Sequence, residues 1–84
     1  MGTKNNPSKF DCYAKAEPDE PMFVLLARDP QASALVRIWA ANRFRITGDV
    51  EKMTEAIKCA EDMERWIEVN RPGKVREFLW KASK

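Results

Sequence analysis

The chain has 84 residues, of which 44% are apolar and 33% charged, and its formal net charge is +2. This composition predicts one small globular domain and excludes a disordered chain. No apolar run approaches the roughly 20 residues that cross a bilayer, and residues 1–9 are polar, so we expect no membrane partner and a cytoplasmic location.

The N-terminal end offers little that packs. We expect residues 1–8 to form a flexible arm and residues 9–84 to form a single helical domain. Phe10 and Tyr13 are the side chains that would anchor the arm to the core.

The first predicted helix covers residues 20–28. Asp19 is a fair N-cap, and Pro21 fits the first helical turn. A buried strand over residues 22–27 is the alternative, because an apolar run this short does not distinguish the two by periodicity. We favour the helix because no partner strand is evident elsewhere in the sequence.

The second predicted helix runs from residue 30 to residue 46. Asp29 would cap it, Pro30 would take its first position, and Gly48 would end it. Its apolar stripe, which we expect to form core, comprises Leu35, Ile38, Trp39, Asn42 and Ile46. Phe44 lies nearly opposite that stripe, so either another element covers it or it is exposed and supports self-association.

The third predicted helix begins after Asp49 and stops at residues 70–73. A broad apolar stripe predicts its buried side and comprises Met53, Ala56, Ile57, Ala60, Met63 and Ile67. Its other side is charged, with seven acids against three bases over residues 49–68. We expect a solvated face, although an acidic surface for a basic partner is an alternative.

The C-terminal end is basic. We also predict a short helix there, over residues 74–82. Five bases against one acid lie in residues 71–84, with Phe78 and Trp80 between them. The partner-binding residues that we predict are Arg71, Lys74, Arg76, Trp80 and Lys81. The alternative is a soluble helix end whose cations suit the helix dipole.

The three tryptophans differ in their expected roles. Trp39 lies on an apolar stripe and is expected to be core. Trp66 flanks the third stripe, so it is either core edge or a partner contact. Trp80 lies off the apolar face near Arg76, which suits an exposed anchor or a cation–π contact.

The residue inventory argues against catalysis. The chain contains no histidine, which removes the commonest general base and metal ligand and excludes Ser-His-Asp and Cys-His arrangements. Its two cysteines, Cys12 and Cys59, are expected to be free and buried, with a single disulfide as the alternative. No phosphate-binding or EF-hand spacing occurs. The neighbouring carboxylates at residues 19–20 and 61–62 fit caps and a solvated face. We expect no enzyme activity, no cofactor and no metal site.

Several runs resemble a group of small bacteriophage and prophage proteins. The runs lie at residues 9–13, 17–30, 36–40 and 60–66, and they include the pattern Glu-Pro-x-Phe-x-Leu-x-Ala-x-Asp at residues 20–29. The resemblance spans residues 9–67 and implies an origin in a phage or in bacterial cytoplasm. It implies no mechanism, because the group has no settled activity.

Together these features predict an all-α domain of three to four short helices. The first functional hypothesis is a non-enzymatic phage accessory protein that binds a host or phage protein and inhibits a host defence or regulatory complex. The alternatives are a small nucleic-acid-binding module that uses the basic C-terminal segment and a self-associating structural protein.

Overall fold

The computed structural model describes residues 1–71, and these residues confirm the all-α class. They form three helices: α1 (Cys12–Lys15), α2 (Ala32–Thr47) and α3 (Val50–Asn70). Helices α2 and α3 pack against each other as an antiparallel hairpin. No residue of this described part lies in a β-strand. The predicted helix over residues 74–82 lies outside it.

The connection between α2 and α3 follows the sequence prediction. Gly48 has a φ of 69°, and its backbone N–H donates to the carbonyl of Phe44 at 2.8 Å. Glycine adopts this left-handed conformation without a Cβ penalty, so the helix ends here. The Asp49 carboxylate accepts a hydrogen bond from the Lys52 backbone N–H at 3.0 Å, which confirms the predicted N-cap.

The start of α2 is two residues later than predicted. The Asp29 carboxylate accepts from the Gln31 backbone N–H at 2.9 Å, and the Asp29 carbonyl accepts from that of Ala32 at 3.0 Å. These bonds close a turn around Pro30 that leads into the helix. Asp29 therefore accepts hydrogen bonds from backbone N–H groups, as predicted. These bonds form a turn that precedes the helix.

The interface between α2 and α3, here called the seam, is built around four alanines and one isoleucine. The fully or almost fully buried residues are Ala32, Ala40, Ala56, Ala60 and Ile67. Alanines leave room for two helix backbones to approach closely, so the smallest side chains take the centre of the contact. The predicted α3 stripe is confirmed, because all six of its residues are buried or half-buried.

The predicted core stripe of α2 is wrong. All five of its residues are exposed, and Trp39 keeps 42% of its surface accessible. Trp39 directly precedes the buried Ala40, which places it about 100° away around the helix. The alanine side of α2 meets α3, and the side with the larger apolar residues does not. Phe44 is also exposed, at 40%.

The predicted helix over residues 20–28 is wrong, and so is the alternative of a buried strand. Residues 20–26 contain no helix, strand, turn or bend, so the chain is extended there. Phe23 is 86% exposed. Asp19, the expected N-cap, lies in a turn before this extended segment, in which the Glu20 N–H donates to the Glu17 carbonyl at 3.1 Å.

The N-terminal residues lie along the first half of α3. The Lys9 ammonium is 2.6 Å from a Glu51 carboxylate oxygen, and the ammonium of Lys52 lies 5.5 Å from the centre of the half-buried Phe10 ring. The Asp11 carboxylate accepts from the Tyr13 backbone N–H at 3.2 Å and caps α1. Phe10 therefore anchors this segment and the exposed Tyr13 does not. The flexibility of residues 1–8 stays a prediction.

Neither of the long helices is suited to cross a membrane. No helix in the described range combines the length and the apolarity that a membrane span requires.

Candidate functional site

The structure describes one of the five predicted partner-binding residues. Lys74, Arg76, Trp80 and Lys81 lie outside residues 1–71, so their part in a site stays a prediction. Arg71 immediately follows α3, and its backbone N–H donates to the carbonyl of Ile67 at 2.7 Å. This bond holds the Arg71 backbone at the C-terminal end of α3.

The Arg71 side chain lies against an exposed aromatic ring. Its guanidinium carbon is 5.3 Å from the centre of the Trp66 ring, which is a cation–π distance. Trp66 is 40% exposed. The Asn70 side-chain amide donates to the Trp66 carbonyl at 2.9 Å and satisfies a carbonyl of the last helical turn. Trp66 thus sits on ordered backbone with a positive charge at its edge.

Two residues of α2 lie on the same flank of the hairpin as Trp66. The bond between Arg37 and Glu64 marks one flank, because it joins the two helices. Leu35 lies two positions before Arg37 and Trp66 two positions after Glu64, which is 160° around each helix. Leu35 and Trp66 therefore share the other flank, and so does Trp39, one turn after Leu35. We call Leu35, Trp39 and Trp66 the tryptophan surface.

The ion pair on the opposite flank has good geometry. The Arg37 guanidinium donates from Nη2 to Glu64 Oε1 at 2.9 Å and from Nε to Oε2 at 3.1 Å. These bonds hold the pKa of Glu64 below its ordinary value, and a hydrogen bond from Ser33 acts in the same direction. A two-point contact between guanidinium and carboxylate fixes the register of α2 against α3.

The charges of the two long helices are opposite. Helix α2 carries three arginines and no acid, and α3 carries six acids and three bases. The resulting +3 and −3 favour contact between α2 and α3, within one chain or between chains.

The two cysteines are free, and the alternative of a disulfide between them is wrong. Cys12 is exposed, which corrects the expectation that both are buried, and Cys59 is half-buried. Burial raises the pKa of the Cys59 thiol, so less of the nucleophilic thiolate forms at neutral pH.

The neighbouring carboxylates do not form an enclosed site. Asp19, Glu20, Glu61 and Asp62 are all exposed. Within residues 1–71, no group of three His, Cys, Asp or Glu side chains is arranged to hold a metal ion. The absence of enzyme activity stays a prediction.

Comparison with known proteins adds no relative. No family model matches the chain, and neither a curated protein nor a solved structure matches it.

The sequence analysis did not predict the exposure of two apolar residues of α2, Leu35 and Trp39. Leu35 and Trp39 were assigned to the core because their stripe has the larger residues. The signal that would have corrected this is the second stripe on α2, where Ala32, Val36 and Ala40 recur at four-residue spacing. That spacing is typical of a close helix contact.

Proposed function

We propose that this chain is a non-enzymatic accessory protein of phage or prophage origin that acts by binding another protein. The observation that carries the proposal is the contact between the exposed Trp66 ring and Arg71 at the end of α3. Tryptophan and arginine are the residue types that most often dominate the energy of protein interfaces. Trp80 and the remaining basic residues lie within the 13 residues after Arg71.

The chemistry of Trp66 and Arg71 indicates the kind of partner that would bind them. An apolar pocket would take the Trp66 ring, and a carboxylate at its rim would meet the Arg71 guanidinium. Leu35 and Trp39 extend the apolar contact along the same flank. Inhibition of a host defence or regulatory complex would follow if that pocket is part of the complex's own assembly surface.

The proposal is tested by affinity capture with matched variants. The tagged chain, Trp66→Ala and Trp80→Ala are each incubated with bacterial lysate, and bound proteins are identified by mass spectrometry. We expect one partner that the parent chain retains and both variants lose. The control is Val69→Ala, which trims an exposed apolar residue near the same end of α3 and should retain the partner.

Circular dichroism separates a binding defect from a folding defect. Trp66→Ala and Val69→Ala should keep the melting curve of the parent chain, because both side chains are exposed. We expect the same of Trp80→Ala, because the proposal makes Trp80 a contact residue. A Trp66→Ala chain that captures the same partner at the same level would overturn the proposal. So would a collapsed melting curve for Trp66→Ala, because Trp66 would then be a packing residue.

The nucleic-acid alternative depends mostly on residues 72–84 and stays a prediction. Salt distinguishes it from protein binding. Contacts with several phosphates weaken by orders of magnitude between about 50 and 200 mM salt, whereas a tryptophan-anchored contact changes little. A gel shift at low salt that shows no binding would remove the alternative.

A further inference from the structure

The extended segment, residues 20–26, leaves its central backbone groups without backbone partners in the described chain. From Met22 to Leu25, no backbone N–H or carbonyl takes part in a backbone hydrogen bond within residues 1–71. The side chains of Phe23 and Val24 are also exposed. A cleft can bind such an extended chain as an added strand, and endoproteases bind their substrates in this conformation.

Two turns limit the length of backbone that is open to a cleft. On one side the Glu20 N–H donates to the Glu17 carbonyl at 3.1 Å, and on the other the Asp29 N–H donates to the Leu26 carbonyl at 3.0 Å. The Leu26 carbonyl is therefore engaged, whereas hydrolysis requires a carbonyl oxygen that is free to enter an oxyanion hole. The peptide bonds between Met22 and Leu26 remain open.

Within that range the side chains favour one bond. Phe23 is 86% exposed, which is the largest exposed fraction of any large apolar residue in the described part of the chain. Leu25 is half-buried. An endoprotease takes the side chain that precedes the cut into its primary pocket. The free aromatic ring therefore favours the bond that follows Phe23.

The other exposed aromatic residues have a different backbone. Tyr13 lies in α1, where its N–H donates to the Asp11 carboxylate, and Phe44 and Trp66 lie in the long helices. A helix has to open locally before its backbone can extend in a cleft. Within residues 1–71, Phe23 is the one exposed aromatic residue outside a helix.

We infer that the Phe23–Val24 peptide bond is a cleavage site for an endoprotease whose primary pocket takes a large apolar side chain, and that it is cut while the α2–α3 hairpin stays folded. Water is the second reactant. The C–N bond breaks, and the water oxygen joins the Phe23 carbonyl carbon to give a carboxylate. Both water protons end on the Val24 nitrogen, which becomes an ammonium group.

The cut separates the N-terminal residues from both long helices. The N-terminal product would be held by non-covalent contacts alone, because Cys12 and Cys59 are free. One of these contacts is the ion pair between Lys9 and Glu51, which is exposed and so contributes little. The product that begins at Val24 retains α2 and α3. Cleavage therefore loosens the N-terminal residues and leaves the tryptophan surface in one piece.

The first experiment is limited digestion of the folded full chain with a trace of chymotrypsin, whose pocket takes large apolar side chains. Mass spectrometry follows the products that begin at Val24 and at Arg45. We expect the cut after Phe23 to be at least about tenfold faster than the cut after Phe44, because α2 has to open before Phe44 is reached. Similar rates for the two phenylalanines overturn the proposal.

A destabilised hairpin tests whether the bond is cut in the folded chain. Gly48→Ala weakens the connection between α2 and α3 and should speed the cut after Phe44 about fivefold, because the open state becomes more populated. The cut after Phe23 should change by less than about twofold, because it needs no unfolding. Equal acceleration of both cuts would show that Phe23 is reached through unfolding and would overturn the proposal.

A proline substitution tests the bond itself. Val24→Pro should abolish the cut after Phe23, because the proline ring replaces the N–H of the scissile bond and restricts its backbone. Val24→Ala is the matched control and should be cut after Phe23 as the parent chain is. Cleavage of both variants at the same rate overturns the assignment of this bond. None of these substitutions changes Trp66 or Arg71, so failure here leaves the proposed function intact.

Discussion

The seam and the extended segment are both apolar, but only the seam finds its partner within the described chain. The seam joins α2 to α3 through alanines with no accessible surface, and its helix ends are closed by Gly48 and Asp49. The extended segment has larger apolar residues and stays exposed. Size alone therefore does not decide which apolar residues become core.

The difference arises from where the backbone hydrogen bonds are made. A helix satisfies its backbone within itself, so α2 and α3 need only a narrow contact to be stable. An extended segment makes no such bonds within itself, so its exposed backbone groups are left to water.

The largest contrast is expected from removing one large apolar side chain in each region. Ile67→Ala empties the one large buried position of the seam and should lower the free energy of unfolding by about 3 kcal/mol. Phe23→Ala should change it by less than about 0.5 kcal/mol in dilute solution, because Phe23 is exposed there. Urea unfolding followed by circular dichroism at low micromolar concentration measures both. Equal losses would contradict the contrast.

Overpacking the seam should give the next largest effect. Ala56→Leu places three further carbon atoms where the two helices touch and should cost about 2 kcal/mol. Ala41→Leu is the matched control on the exposed side of α2 and should be nearly neutral. Thermal denaturation of both variants is the measurement. A neutral Ala56→Leu would mean that the helices do not pack through their alanines.

A smaller loss of stability is expected from changing Gly48, which connects α2 to α3. Gly48→Ala forces a side chain into the left-handed conformation and should cost about 1 kcal/mol. Gly48→Asn should recover part of this loss, because asparagine tolerates that conformation. No atom lies within 4 Å of a Cβ added at Gly48, so the expected loss is conformational and not a clash. Equal stability of glycine, asparagine and alanine chains in chemical denaturation would contradict this account.

The smallest effect is expected from the Arg37–Glu64 pair. A double-mutant cycle with Arg37→Gln and Glu64→Gln should give a small stabilising coupling energy, because the pair is half-exposed. The pKa of Glu64 is lowered in the folded chain, so its contribution is complete above the ordinary glutamate pKa. The contribution is lost as the pH falls from the ordinary glutamate pKa through the lower folded-state pKa.

The control for this pH dependence is Glu68→Gln, which removes an exposed carboxylate of α3. It should leave the pH profile of stability unchanged, whereas Glu64→Gln should flatten it in the acid range. A profile that is the same for both variants would show that the ion pair does not contribute.

The local signals in the sequence predicted much of the hairpin. Gly48 and Asp49 act through their own backbone and nearest neighbours, so their roles follow from residue type. The α3 stripe was also predictable, because one side of that helix is apolar and the other is charged. The start of α2 was misplaced, because Asp29 forms a similar hydrogen bond in a turn and in a helix cap.

The long-range features were not predictable in the same way. Trp39 and Ala40 are neighbours, and which of them is buried depends on how closely α3 approaches. The run from Met22 to Ala27 is apolar in any conformation, so its composition does not reveal whether a partner comes from the same chain. Arg71 was predicted as a partner-binding residue from its type, whereas Trp66 was left as either core edge or a partner contact, and their contact required the structure.

Hydrogen–deuterium exchange of the full chain compares both regions in one measurement. Backbone amides of α2 and α3 along the seam should be protected at every protein concentration, because their bonds lie within one chain. Amides of residues 22–25 should exchange freely, because none of them donates a hydrogen bond within the described residues. Free exchange along the seam, or protection of residues 22–25 equal to that of the seam, would contradict the account.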